Sequence, residues 1–515
     1  MPSTLVALAV AAALTAALHH LVVHPLLLSP LARIPGPKLY ALTRWRLALE
    51  DWTGRRTRTV HALHEQYGPV VRIGPNEVHF NSLSALRTIY GAGSGFERTS
   101  FYRMFDVYGK QNLFTFHTVA AHAARKKLLA HAYSKTAVAR GPVAAMVESK
   151  IADFLSLVAS QTPGSATEIF STLHYYSLDA ITAFLYGSPA FGATAALRGT
   201  PAHRRLLDDI LDPARRRLTW FAVHFPAFTR WLYSRTALAG RLVAPLLPMR
   251  KPSTYTGIRA HALAAMRAFA AADAPARQPA DGAILARLWK RAGEPGALGE
   301  LDVASECADH LLAGIDTTSD TIMFALWALS RPENAAAQAR LVAECRSLPA
   351  GAEGVVEAAD GPGMVWLDAV VRETLRLFAP LPASEPRSCP RDAVVDGWEL
   401  PRGTVCAMAP YSLHRNAAVF EDPGRWDPER WIRGGGERVA EMRKWWWPFS
   451  SGGRMCIGMH LAMAEMALLP AIYKKYSTRI KPGFESVSPG ITSRFEVFGD
   501  DTFPKMEVSD GSKSS

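Results

Sequence analysis

The sequence predicts an α+β fold, mainly α-helical with small β-sheets, in a single large domain behind one N-terminal transmembrane helix. Three observations carry this expectation. From about residue 118 to 330 apolar residues recur at helical spacing almost without a break. Alternating or turn-rich stretches that read as strands are confined to residues 69–80 and to the region beyond residue 378. No Gly/Ser linker, charged tail or internal repeat divides the 515 residues, although length alone, at about 150 residues per domain, suggests about three.

Taken in order, the first element is the apolar run Leu5 to Val23, which has no permanently charged residue and resumes after His24 as PLLL. About 20 apolar residues cross a bilayer core, so residues 1–28 are expected to form a transmembrane anchor. A cleaved signal peptide is the competing reading, but the run is longer than a usual signal core. No Lys or Arg precedes it, whereas Arg33, Lys38, Arg44 and Arg46 follow, and by the positive-inside rule the long C-terminal portion stays in the cytosol. Residues 29–38 contain RIPGPK, whose prolines predict a stiff extended spacer. Residues 39–515 form the globular domain.

Within that domain WTGRRTRTVHALHEQYG reads as an amphipathic helix ending at Gly68, and PVVRIGPNEVHF as a short hairpin. The stretch Leu301 to Ser330 is apolar on nearly every face, which places a long helix through the protein centre. Leu218 to Lys251 mixes aromatic, aliphatic and basic residues. It fits either core helix with solvated arginines or a surface dipping into lipid headgroups, an access route for lipid-soluble substrates. The last helix is expected over IGMHLAMAEMALLPAIYKKY, with Cys456 at its entrance.

The five cysteines are odd in number, far apart and without a CxxC pair. A disulfide framework or cysteine-built zinc site is therefore disfavoured and a reducing compartment favoured. The net charge of +12 points to an acidic partner or anionic surface. Nucleic acid is not expected, because there is no long basic run and no nucleic-acid motif.

Chemistry concentrates in four places. In FSSGGRMCIG, Phe449 to Gly458, glycines let the chain fold tightly around the Cys456 sulfur and turn amides towards it. Amide donors and a helix N-terminus favour a thiolate ready for metal. A nucleophilic cysteine with a histidine base elsewhere stays open on these residues alone. In AGIDTT, Ala313 to Thr318, an acid, hydroxyls and a glycine sit in mid-helix, where they are costly unless satisfied or functional. Thr317 could simply bond back to the carbonyl a turn earlier and bend the helix. ETLR places Glu373 and Arg376 on one helix face, as a salt bridge requires. Arg454, Arg387 and the AAHAARKKLL segment supply cations for an anionic ligand.

The spacing F-x-x-G-x-R-x-C-x-G resembles the haem-binding loop of the cytochrome P-450 superfamily, and every specified position is present. The other motifs, in the same order along nearly the whole chain, strengthen the resemblance, which looks closest to fungal microsomal members of secondary metabolism. It implies the cytochrome P-450 fold and haem b, with Cys456 as the axial iron ligand and Phe449 and Gly458 in the loop. It implies an acid–alcohol pair, Asp316 and Thr317, that delivers protons during oxygen activation, with Ala313 and Gly314 as the small residues making room. It implies that Glu373, Arg376 and Arg430, the last within WDPERW, form a structural triad supporting the haem loop. Haem propionate partners are expected, in falling order, at Arg454, Arg387, His122 and Arg125. Lys126 departs from the arginine usual at its place, which leaves Arg125 and Lys126 as alternatives.

The implied function is insertion of one atom of O2 into a hydrophobic small molecule, with electrons from NADPH through a flavin-containing NADPH-cytochrome P-450 reductase. Cytochrome b5 is a further candidate partner, and the endoplasmic reticulum membrane, single-pass with a cytosolic catalytic domain, the implied location. Two rivals remain: an isomerase or dehydratase of the same fold, which often lacks the acid–alcohol pair, and a non-catalytic haem-binding protein. Substrate choice is expected to lie in Ser100 to Phe116 and in the aromatic stretch after residue 218.

Overall fold

A computed structural model of the chain describes residues 2–161, 166–212, 214–253, 255–278, 282–290, 298–348, 352–485 and 505–510. The N-terminal helix Pro2–Leu18 continues as a π-helical segment, His19–Leu28. Together Thr4–Leu28 form one apolar helix of mean hydropathy 2.1, long enough to cross a membrane and exposed over most of its length, with Pro25 buried near its end.

The segment expected as an extended spacer is extended at Ile34 and Pro37 but lies against the globular domain. Pro30–Arg33 close a 3₁₀ turn capped by the Ser29 hydroxyl, and the chain then docks on the first strand. The Arg72 amide donates to the Pro35 carbonyl at 2.7 Å, and the Arg72 guanidinium donates to the carbonyls of Pro25 and Pro75. Leu31 and Ile34 are buried in the sheet-side apolar cluster. Prolines fixed the local angles here, but burial of the two aliphatic side chains decided where the segment lies.

Helix Arg56–Tyr67 ends at Gly68, as its pattern predicts. Strands β1 (Val70–Gly74) and β2 (Glu77–Phe80) form the expected hairpin. With β3 (Glu97–Arg98), β5 (Arg387–Ser388) and β8 (Val405–Ala407) they build a five-stranded sheet of order β1-β2-β8-β5-β3, in which β2 and β8 are parallel. Strand β4 (Ala166–Glu168) joins β9 (Tyr476–Ile480) and β10 (Lys505–Asp510) in a second sheet, and β6 (Ala393–Val395) pairs with β7 (Trp398–Leu400).

The long apolar run is one helix, Glu300–Leu329, with Glu300 and Asp302 in its first turn, where acids favour the helix dipole. At 1.5 Å per residue it spans about 45 Å. It crosses the main core cluster and packs along helix Ile169–Tyr186, with Thr256–Ala271 and Val365–Leu377 on other sides. Glu168 caps helix Ile169–Tyr186 by accepting from the amides of Phe170 and Ser171.

The final helix is split into Met459–Glu465 and Leu468–Lys475. Pro470 lacks the N–H that a continuous helix needs, and it is tolerated only because a new helix starts just before it. The Leu218 to Lys251 stretch breaks into short helices on the surface. Phe228, Trp231, Leu238, Leu242 and Leu246 are exposed there, so the core-helix reading fails for these residues. Only a few, such as Leu232, are buried.

Candidate active site

The cysteine loop is held by backbone geometry. The Cys456 amide donates to the Phe449 carbonyl at 2.9 Å, closing the loop over itself. Gly452 has φ +62°, and a Cβ there would fall 2.3 Å from the Tyr90 carbonyl oxygen, so only glycine fits. Arg454 ties the loop to the segment before the next helix by donating to the carbonyls of Phe116 and His117, each at 2.8 Å. Lys126 caps the loop from the other side, donating to the carbonyls of Gly453 and Met455 at 2.9 and 3.0 Å. The Cys456 sulfur faces the cavity enclosed by the loop, the central helix and the 98–122 region. All five cysteines are unpaired. Burial pushes the Cys456 thiol up, while the amides of Gly458 and Met459 and the Lys126 ammonium favour its thiolate.

In the same cavity, the central helix presents Ala313 and Thr317, one turn apart on one face. The Thr317 hydroxyl donates to the Ala313 carbonyl at 2.7 Å, so the back-bonded reading of this threonine is correct as geometry. Gly314 also lines the cavity. A Cβ there would meet the Ile181 side chain at 2.5 Å, so its missing side chain also lets two helices approach. Asp316 lies on another face of the helix and does not line the cavity. Its carboxylate meets Arg215 at 3.4 Å and His174 at 3.6 Å. Burial raises its pKa, opposed by Arg215. Its Oδ1 has no hydrogen-bond partner among the described residues.

Behind the loop, Glu373 and Arg376 form a bidentate pair at 2.8 Å with both side chains fully buried. Arg430 Nε joins Glu373 at 3.0 Å. Sequence reasoning missed two further members. Trp431 Nε1 donates to Glu373 at 3.0 Å. His414 accepts from the Trp447 amide on Nε2 at 2.7 Å, and its Nδ1 meets the Arg376 carbonyl at 2.9 Å. Because a backbone N–H can only donate, Nε2 is the acceptor and Nδ1 carries the proton. Trp447 in turn donates to Ser451, so the ion pair is wired to the cysteine loop.

Burial, with Arg376, pushes His414 down to about 3. An unfolded histidine titrates near 6.5. The group therefore contributes stability that is complete above pH 6.5 and is lost as pH falls towards 3, where the unfolded chain alone takes the proton. The melting temperature should fall between pH 6.5 and 4.5, and His414→Gln should flatten part of that slope when both proteins are melted across the range.

The cations divide in an unexpected way. His122 lines the cavity and is held neutral, at about 3, by burial and by Arg454, Arg98 and Lys126. Arg125 corrects its expectation: it turns into the protein and pairs with Glu306, both buried. Lys126, its alternative, spends its donors on the loop carbonyls. Arg387 stands one side chain back from the cavity, donating to the Tyr102 hydroxyl at 2.7 Å and to Glu385 at 3.2 Å. The residue that takes the cavity position is Arg98, which had no signal because it lies in a two-residue strand.

The β3–β5 register sets Arg98 directly opposite Arg387, both buried. Like charges so placed are destabilising unless an anion lies between them. Arg98 Nε and Arg454 Nε are both buried without a hydrogen-bond partner among the described residues. Burial, with Arg98 and Arg387, brings Arg454 down to about 9. Unfilled guanidinium donors, a surplus of positive charge and a soft sulfur across one cavity fit the two carboxylates and the iron of haem. Arg98, Arg454 and His122 would hold the carboxylates, and Cys456 the iron.

The structure thus gathers Cys456, Phe449, Gly458, Arg454, His122, Ala313 and Thr317 around one cavity, and leaves Asp316, Arg125, Lys126 and Arg387 outside its lining. Comparison with known proteins shows the family. Residues 264–485 match the family profile described as Cytochrome P450. Cytochrome P450 monooxygenase stcB of Emericella nidulans is 30% identical over 452 residues, which cover 86% of this chain and 81% of that protein. Cytochrome P450 monooxygenase aflV of Aspergillus parasiticus is 28% identical over 448 residues, 86% and 84% of the two chains. Cytochrome P450 monooxygenase tazI of Aspergillus terreus is 26% identical over 488 residues, 93% and 91%. With motif order, fold and near full-length similarity in accord, the chain belongs to the cytochrome P450 family.

Proposed function

We propose that this haem-thiolate monooxygenase oxidises a hydrophobic fungal secondary metabolite, with electrons passed from NADPH through a flavoprotein reductase. The observation that carries the reading is the cavity shared by the Cys456 sulfur and the Thr317 hydroxyl. When bound, haem iron supplies the oxygen chemistry, and thiolate donation favours cleavage of the O–O bond. The chain's own residues do the rest. Arg98, Arg454 and His122 orient the macrocycle through its carboxylates. The apolar side chains of Leu113, Phe114, Ile181 and Leu381 exclude water and favour an apolar substrate.

Thr317 moves a proton at its Oγ, whose lone pairs stay available because the hydroxyl hydrogen is engaged by the Ala313 carbonyl. Asp316 acts as the reserve behind it. His174, brought down to about 4 by burial, is neutral, and its Nδ1 contacts the Phe170 carbonyl. With that nitrogen donating, Nε2 offers a lone pair towards Asp316 Oδ1, so the carboxyl can hold a proton there. Rotation away from Arg215 would bring that proton to the groove.

Residues 1–28 anchor the protein in the endoplasmic reticulum membrane, residues 29–38 fix the junction, and residues 39–515 form the cytosolic catalytic domain. The exposed apolar residues Phe228, Trp231, Leu238 and Leu242 support a second membrane contact. A second cavity of about 920 Å³, between the N-terminal strands and Trp220, lies along the access route this implies. Some of the positive charge serves as a docking face for an acidic reductase, and cytochrome b5 is a second candidate for it.

The test is product formation that requires both NADPH and oxygen. Turnover under nitrogen without NADPH would instead establish an isomerase or dehydratase. Thr317→Ala is expected to keep haem and NADPH oxidation but lower product per NADPH about tenfold, with peroxide released. That is less than the ~100-fold or more that acid–base groups commonly supply, because water can take the hydroxyl's place. Unchanged coupling would remove Thr317 from proton transfer.

A further inference from the structure

The central helix carries a carboxyl that none of the roles above uses. Asp309, Ala313 and Thr317 lie four residues apart on one face and all line the cavity, so Asp309 stands one turn, about 6 Å, from Ala313. The neighbouring acids are accounted for. Glu306 accepts from the Leu113 amide at 3.0 Å, pairs with Arg125 and meets His310 Nε2 at 3.2 Å. Asp316 is held by Arg215. Asp309 has no ion pair or side-chain hydrogen bond among the described residues, although its carboxyl lies within 4.8 Å of a Glu306 oxygen and a His310 nitrogen, and the Phe114 amide favours its charged form. A carboxylate offers about four acceptor sites, so most of them stay open to the cavity. Burial, with Glu306, lifts its pKa to about 7, against His310 and Arg98. Leu113, Phe114 and Ile181 supply apolar lining of the same cavity. In such surroundings a polar acceptor left unmatched costs free energy, whereas a matching donor is strongly selected.

We propose that Asp309 is a specificity-determining residue that accepts a hydrogen bond from a substrate hydroxyl, and that the enzyme takes apolar molecules carrying such a hydroxyl about one helical turn from the reacting carbon. A hydroxyl fits better than an ammonium, because burying a second charge beside the carboxyl in this largely apolar lining would add the desolvation of both ions. This inference rests on the cavity being the substrate site of the monooxygenase proposed above.

The experiment uses the full-length haem-loaded protein, titrated with 4-phenylphenol, which can donate, and with 4-methoxybiphenyl, which can only accept. Binding is read from the ligand-induced shift of the haem absorption. The wild type should bind the phenol about tenfold more tightly, the size expected for one charge-assisted hydrogen bond. Asp309→Ala should bring the two ligands within about twofold and leave 4-methoxybiphenyl affinity unchanged. Asp309→Asn, nearly isosteric and still an acceptor, should keep a reduced preference of about threefold, and it serves if the alanine variant fails to load haem. Equal binding of both ligands by the wild type, or an undiminished preference in Asp309→Ala, would overturn the proposal. So would an equal loss for both ligands, which would make Asp309 a support for the Phe114 segment. Absence of a thiolate-type carbon monoxide spectrum would instead defeat the monooxygenase reading itself, so the two failures are distinguishable.

Discussion

Cys456→Ala is expected to reduce product formation to background while leaving the protein folded. No other thiol can take its place. Cys307, Cys345, Cys389 and Cys406 are buried in apolar surroundings away from the cavity lining, and burial pushes each thiol up, Cys345 to about 12. The loop should persist without the sulfur, because its shape comes from the Cys456 amide on Phe449, from Arg454 on Phe116 and His117, and from Lys126 on Gly453 and Met455. Haem should bind at lower occupancy and without the thiolate signature, as the cationic pocket of Arg98 and Arg454 still attracts its carboxylates. Activity, haem content and thermal melting measured on one preparation separate these effects. An unchanged spectrum would remove Cys456 as the ligand.

Glu373→Ala should be the most destabilising single change in the molecule. Glu373 accepts from Arg376 Nε and a terminal Arg376 nitrogen at 2.8 Å, the Asp427 amide at 2.8 Å, Arg430 Nε at 3.0 Å and Trp431 Nε1 at 3.0 Å. Its removal strands two buried guanidiniums, and breaking a buried pair costs about 3–5 kcal/mol. The damage should travel to the active site through the Arg376 carbonyl, His414 and Trp447 to Ser451, so haem content should fall with stability. Glu373→Gln keeps the shape and loses the charge, and should fall between the two. Melting temperature and haem-to-protein ratio check both variants. Wild-type values for Glu373→Ala would refute the structural role.

What the sequence made legible was local. The cysteine loop, the hairpin, the helix ending at Gly68 and the Glu373–Arg376 pair each depend on residues within about ten positions of one another. Arg430 was reachable because a tryptophan-flanked arginine has a recognisable pattern. Arg125 was misassigned because its partner, Glu306, lies 181 residues away and no local rule links them. Arg98 was invisible for a similar reason: its place opposite Arg387 comes from pairing between two-residue strands distant in sequence. Gly314 lines the cavity and also lets helix Ile169–Tyr186 approach, and the second need, packing against Ile181, has no mark in the local motif. The segment at 29–38 shows burial deciding where a locally extended stretch lies, and the break before Leu468 shows a single proline deciding where an otherwise helical pattern divides.

The most direct test of the account is the difference spectrum of the reduced, carbon monoxide-bound wild-type protein, purified full length in detergent. A Soret maximum at the long-wavelength position of thiolate-ligated haem, lost in Cys456→Ala, is the predicted result. A maximum at the shorter wavelength of histidine-ligated haem, or no haem in a folded protein, would contradict it.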